Sequence, residues 1–156
     1  MNRKIISSLL FILLINCGFT PVLKDFDISN LKVQKIEYSG KRELIYLIEN
    51  NLNIKEKENA EGLIVNIAVS EGVKSVVKNN EGTITKENFT ISVDIEIFDY
   101  EKKSLLKDTI SASRRLPVSQ NISADDDKKK IERANLTRSL AQKIKFYLQL
   151  ISKQQR

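Results

Sequence analysis

One thiol, that of Cys17, stands in a chain of 156 residues that contains no histidine. Without histidine the usual general base at neutral pH, the commonest metal ligand and every Ser-His-Asp arrangement are excluded. A lone cysteine cannot close an internal disulfide or build a zinc site. The five glycines stand apart from one another, so no Gly-rich phosphate loop is present. Paired carboxylates could still work as acid and base, but the acids are scattered or fall at the ends of predicted elements. The composition therefore points away from an enzyme and calls for no cofactor and no metal. What remains for Cys17 is modification of the thiol itself.

Its surroundings say which modification. Arg3 and Lys4 precede an apolar run from Ile5 to Ile15, broken only by Ser7 and Ser8, and Cys17-Gly18 follows at its end. A basic start, a short apolar run and a cleavage point form the plan of a secretory signal peptide. The run falls well short of the roughly 20 residues that a bilayer-crossing helix needs. A single cysteine at the end of such a run resembles a bacterial lipobox, in which the thiol is acylated and the mature chain begins at the lipidated cysteine. Asn16 departs from that pattern, which favours a small residue before the cysteine; an uncleaved anchor with an incidental cysteine is the competing reading. The expected organisation is a signal peptide at 1–16, an extended lipid-proximal linker at 17–28 and one domain at 29–156. Pro21 keeps the linker out of helix. The full chain carries a formal charge of +6, and loss of Arg3 and Lys4 leaves it mildly basic, which suits an anionic partner.

The domain must position whatever the lipid anchors. Leu31 and Val33 alternate with polar residues, then the phase shifts to Ile36 and Tyr38, predicting a first strand with a bulge near Gln34-Lys35. Leu44, Ile45, Leu47, Ile48 and Leu52 recur at helical spacing, so a helix is expected from Arg42 to Asn53. The clearest pattern follows. Leu63, Val65, Ile67 and Val69 share one strand face, and Phe89, Ile91, Val93, Ile95 and Ile97 share another. Their neighbours, among them Asn66, Ser70, Thr90, Ser92, Asp94 and Glu96, are mostly polar, so the sheet is expected to be covered on one side only.

A three-residue turn at Asn80-Glu81-Gly82, with Gly82 at positive φ, would pair Asn79 with Thr83. Val73, Val69, Ile67 and Val65 then fall opposite Phe89, Val93, Ile95 and Ile97. A slip by one residue would break the apolar face. Glu71, opposite Ile91, is the one residue that fits this face badly. After a turn at Asp99–Ser104, a fourth strand is expected from Leu105 to about Arg114, with Leu106, Ile110 and Ala112 inward. A loop at Pro117–Ser123 leads to a helix capped by Ser123 and running to about Ser152. Its apolar stripe is Leu136, Leu140, Ile144, Tyr147, Leu148 and Ile151, with Ala134 and Ala141 beside it. The predicted fold is α+β: a two-layer sandwich with a mixed four-stranded sheet, order β-α-β-β-β-α, and both helices on one face.

The same register sets Lys74, Lys78 and Lys86 on the polar face near the hairpin tip, where they could bind phosphate; solvated lysines discouraging edge pairing are the alternative. Arg114 and Arg115, at the end of the fourth strand, are further anion-binding candidates.

Cys17-Gly18-Phe19-Thr20-Pro21, together with this element order and length, resembles the start and layout of the LPS-assembly lipoprotein family, LptE, of the alphaproteobacterial type. Leu23 stands where those proteins tend to carry an aromatic residue. The resemblance implies a lipoprotein held by its N-terminal lipid on the periplasmic leaflet of the outer membrane. Its domain would plug and help assemble the LptD β-barrel translocon and bind lipopolysaccharide during insertion into the outer leaflet. Lipopolysaccharide and an LptD-like barrel are thus the implied partners, with no nucleic acid. A lipid-anchored auxiliary subunit of a lipid-transporting ABC system is the alternative.

Overall fold

A computed structural model describes residues 31–57, 61–119 and 121–154. The elements run β1 (Val33–Gly40), α1 (Arg42–Leu52), β2 (Leu63–Lys78), β3 (Ile84–Phe98), β4 (Ser104–Pro117) and α2 (Ile122–Gln154). They form one four-stranded sheet in the order β1-β2-β3-β4. β1 lies parallel to β2, and the β2–β3 and β3–β4 pairs are antiparallel. The mixed sheet and the two helices agree with the α+β expectation. Cys17, the signal at 1–16 and the linker at 17–28 lie outside the described residues.

The expected hairpin register holds from Val65 to Ser75 and then shifts towards the tip, where Val77 rather than Val76 pairs with Lys86. Val65, Ile67, Val69 and Val73 pair with Ile97, Ile95, Val93 and Phe89. At the turn the Asn79 amide donates to the Thr83 carbonyl at 2.9 Å, and Gly82 has φ of +80°. The Asn79 side-chain oxygen also accepts from the amides of Glu81 and Thr83. Asp99 repeats the device at the next turn: its carboxylate accepts from the Lys103 amide at 2.8 Å, and Lys102 takes the left-handed position. The β1 bulge is present as well, a register shift between Val33 and Lys35.

One core lies between the sheet and the helices. Val33, Leu44, Ile48, Leu52, Val65, Phe89, Ile91, Val93, Ile95, Ile97, Leu140, Ile144 and Leu148 are fully buried in it. Each such aliphatic side chain gains about 1.5–3 kcal/mol by leaving water. The α2 stripe buries Leu136, Leu140, Ala141, Ile144, Leu148 and Ile151, with Tyr147 half-buried beside them. Thr137 is also buried on this face, and its hydroxyl donates to the Arg133 carbonyl at 2.6 Å. Polar contacts pin α2 to three strands. Arg133 reaches Glu71 on β2, Lys129 reaches Glu87 on β3 at 2.8 Å, and the Tyr147 hydroxyl donates to Asp108 on β4 at 2.8 Å.

Three boundaries differ from the sequence expectation. β4 continues through Leu116, which is buried, to Pro117. It is an edge strand, where a residue without an N–H can be accommodated. The α2 cap is Asn121 rather than Ser123: its side-chain oxygen accepts from the Ala124 amide at 3.2 Å. The Ser119 amide and hydroxyl then donate to Asp125 at 2.7 and 2.9 Å. With Lys128 beside it, this holds the Asp125 carboxyl below the usual range. Lastly, β1 begins at Val33, and Leu31 is buried just ahead of it.

Gly40 closes β1 with φ of +116°, and a Cβ there would lie 2.0 Å from the Val69 carbonyl oxygen. Only a residue without a side chain lets the chain turn off β2 into α1 at that distance. Gly40→Ala is expected to lower the unfolding free energy by about 1–3 kcal/mol. Urea titration checks this, and a midpoint equal to that of the parent chain would contradict it.

Candidate functional site

Alternation along each strand divides the sheet into two faces. On β2 and β3 the odd positions from Leu63 and Phe89 point to the helices. The even positions make the other face, which no described helix covers. On β4 the pairing of Phe89 with Arg114 and of Asn88 with Arg115 reverses the parity, so the odd residues Lys107, Thr109 and Arg115 stand on the open face.

The lower half of this face is a trough of about 490 Å³, lined by Glu37 and Ser39 of β1, Asn66 and Ala68 of β2, Asp94 and Glu96 of β3, and Lys107 and Thr109 of β4. Its charges neutralise one another. Lys35 meets Glu37 at 2.6 Å, Lys107 meets Glu96 at 2.5 Å, and the Thr109 hydroxyl donates to Asp94 at 2.6 Å. The pairing raises the affinity of Lys35 and Lys107 for their protons and lowers that of Glu37. These pairs are exposed and contribute little to stability. The Asn66 side-chain oxygen is buried on this side with no hydrogen-bond partner among the described residues.

The upper half is different. Lys74, Asn88 and Arg115 lie in one row across β2, β3 and β4. Lys86 stands two residues further along β3, where side chains on one face are about 7 Å apart. Past an irregularity around Val76, Val77 pairs with Lys86 and shares the open face. Lys78, paired with Ile84 close to the turn, therefore falls on the opposite side instead of joining Lys74 and Lys86 as expected. Lys74, Lys78, Lys86 and Arg115 are exposed, and none has an ion-pair partner among the described residues. Carboxylates at the trough and unpaired cations at the tip grade the open face from one end to the other.

Arg114 does not belong to this group. It points to the helix side and lies 3.5 Å from Glu132 of α2. Two adjacent strand residues cannot share a face, so the Arg114-Arg115 pair is split, with only Arg115 left on the open side.

The lysines have apolar company: Val73, which the alternation assigns to the apolar face, and Val76, Val77 and Ile84, which it leaves unassigned. Val73, Val76, Val77 and Ile84 are 50%, 41%, 39% and 37% exposed around the hairpin tip. The signal was present in the sequence: apolar residues continue along β2 after Val69, the last buried position of that strand. Among the described residues there is no cluster of three or more metal-ligating side chains. No helix of the described residues is long and apolar enough to cross a membrane.

The α+β fold of this chain is similar to that of several solved bacterial lipoproteins. The chain superposes on rare lipoprotein B from Shewanella oneidensis with a TM-score of 0.60 at 15% identity, covering 78% of this chain and 96% of that one. It superposes on a minor lipoprotein from Acinetobacter baumannii with a TM-score of 0.55 at 13% identity, covering 78% and 94%. For lipoprotein B from Nitrosomonas europaea the TM-score is 0.56 at 12% identity, covering 74% and 81%. At such identities the likeness is one of fold. No protein-family model and no curated protein sequence matches the chain.

Proposed function

We propose that this chain is a non-catalytic, lipid-anchored lipoprotein of the LptE kind. It is acylated at Cys17 and held on the periplasmic leaflet of the outer membrane. Its domain plugs and helps assemble an LptD-like β-barrel, and its basic tip binds lipopolysaccharide on the way to the outer leaflet. The observation that carries this reading is the fold shared with rare lipoprotein B over 96% of that protein's length. The position of Cys17 at the end of a signal-like run supports the anchor. The unpaired Lys74, Lys78 and Lys86, with Arg115 beside them, supply the charge that lipid phosphates need.

Charges near an anionic lipid surface are worth about 1 kcal/mol each. Replacing Lys74, Lys78 and Lys86 together by Ala is expected to weaken lipopolysaccharide binding by roughly 10–100-fold, while recovery of the barrel partner on co-purification is retained. Equal binding by the triple variant would assign the lysines to solvent. Recovery of an inner-membrane transporter and no outer-membrane barrel would support the ABC-system alternative instead. Cys17→Ser is expected to abolish incorporation of labelled palmitate and to release the protein from the membrane fraction. Unchanged retention would mean an uncleaved anchor.

A further inference from the structure

β1 accompanies β2 for only part of its length. Their ladder ends where Gly40 pairs with Val69, and the chain then turns away through Lys41 into α1. β2 continues for nine more residues, Ser70–Lys78, paired to β3 on one side. On the other side no described strand or helix takes up its backbone groups. Every second residue of a strand directs its N–H and C=O outward, so this edge offers a row of unmet donors and acceptors. Its side chains differ by face. Val73, half-exposed, projects to the helix side, and Lys74 projects to the open side. Past the irregularity at Val76 the alternation reverses: Val77, paired with Lys86, takes the open side, and exposed Lys78 continues the edge on the other. At its lower end Glu71 is tied to Arg133 and Lys41, which fixes where the free edge starts.

We infer that the Ser70–Lys78 edge of β2 is a docking site for an extended segment of a partner polypeptide. That segment adds a strand with apolar residues on the helix side and acidic residues on the open side. Backbone pairing supplies the affinity, and the alternating side chains supply the selection. The lysines decide against a second copy of this chain. Antiparallel self-pairing over the whole stretch sets Lys74 against Lys74, and like charges directly opposite are destabilising. Lys74 matches a strand with an acid on the open face, and Lys78 adds a positive charge close to the end of the edge. Backbone pairing distinguishes this docking from lipid binding by the open face, although both draw on Lys74.

The test uses the full chain and a fluorescein-labelled nine-residue peptide of alternating valine and glutamate. Fluorescence anisotropy is expected to show saturable binding, weakened at least tenfold in the Lys74→Glu/Lys78→Glu double variant. Because both lysines are exposed, the double variant is expected to keep the parent urea midpoint. Backbone amide exchange within 70–78 is expected to slow at least tenfold on peptide addition, with the β4 edge unchanged. A peptide methylated on the amides of its pairing edge keeps its side chains and should not bind. The inference is overturned by absent binding, by equal binding of the methylated peptide, or by unchanged exchange within 70–78. Full protection of those outward amides before peptide is added would also overturn it, since the edge would then be covered by the chain's own remaining residues.

Discussion

Phe89→Ala is expected to lower the unfolding free energy by about 3–5 kcal/mol, and urea or thermal denaturation followed by circular dichroism measures it. Phe89 is the largest fully buried side chain in the described core. It sits on β3 with a strand on either side, so neighbouring backbone cannot close over the space its ring would leave. Removing the ring also removes the surface under the Arg133 guanidinium, whose carbon lies 5.6 Å from the ring centroid. That contact adds about 0.5–2 kcal/mol where the cation is partly desolvated. Phe89→Leu keeps most of the volume and is expected to cost clearly less. If both variants cost the same, the loss would come from the ring-specific contact rather than from the vacated volume.

Arg133→Met is expected to cost about 2–4 kcal/mol for a different reason. Arg133 Nε and Nη2 donate to the two Glu71 oxygens at 2.5 and 3.0 Å, and Lys41 Nζ reaches the same carboxylate at 3.1 Å. The two principal side chains are only 17% and 16% exposed. Methionine fills similar space and leaves the Glu71 charge largely desolvated with Lys41 as its remaining ligand. The hydrogen bonds from Arg133, and then those from Lys41, hold the Glu71 carboxyl below the ordinary glutamate range. A lowered folded-state value means that the stabilisation is fully present above the unfolded carboxylate value of about 4.3. It is lost as pH falls through the lower folded value. The stability difference between the parent chain and Glu71→Gln should therefore be constant from pH 7 to 5 and shrink on further acidification. A difference that does not change with pH would show that Glu71 acts by shape alone. Since Arg133 touches both Glu71 and Phe89, the Phe89 and Arg133 substitutions should not add.

That cluster marks the limit of what the sequence reveals. Glu71 stood out as a misfit on an apolar face, because period-two alternation exposes any charge at an inward position. Its partner lies 62 residues away on another element, and no local pattern connects them. The β2–β3 register was legible because alternation on both strands and a Gly-ended turn demanded the same pairing. The α2 stripe was legible because a long helix repeats its pattern many times. The end of β4 was not, since Pro117 reads as a breaker and only edge position makes it admissible. Asn121 and Ser123 are both good caps two residues apart, and the choice between them depends on the path of the chain leaving β4. Lys74 and Lys86 were placed by parity alone. Arg114 and Arg115 look like one feature in a line of letters, yet the pleat sends them to opposite sides of the sheet.

β2 changes character part-way along. Up to Val69 every second residue is sealed beneath the helices, and from Gly72 onward all are open to water. A strand built this way has two stabilities. Its lower part exchanges amide hydrogens only when the whole domain opens, whereas its tip can open by itself at far lower free energy. A partner seated on the tip would therefore order the hairpin without altering the core. The core, for its part, serves as the rigid grip of a lever whose far end remains free to conform to what it touches.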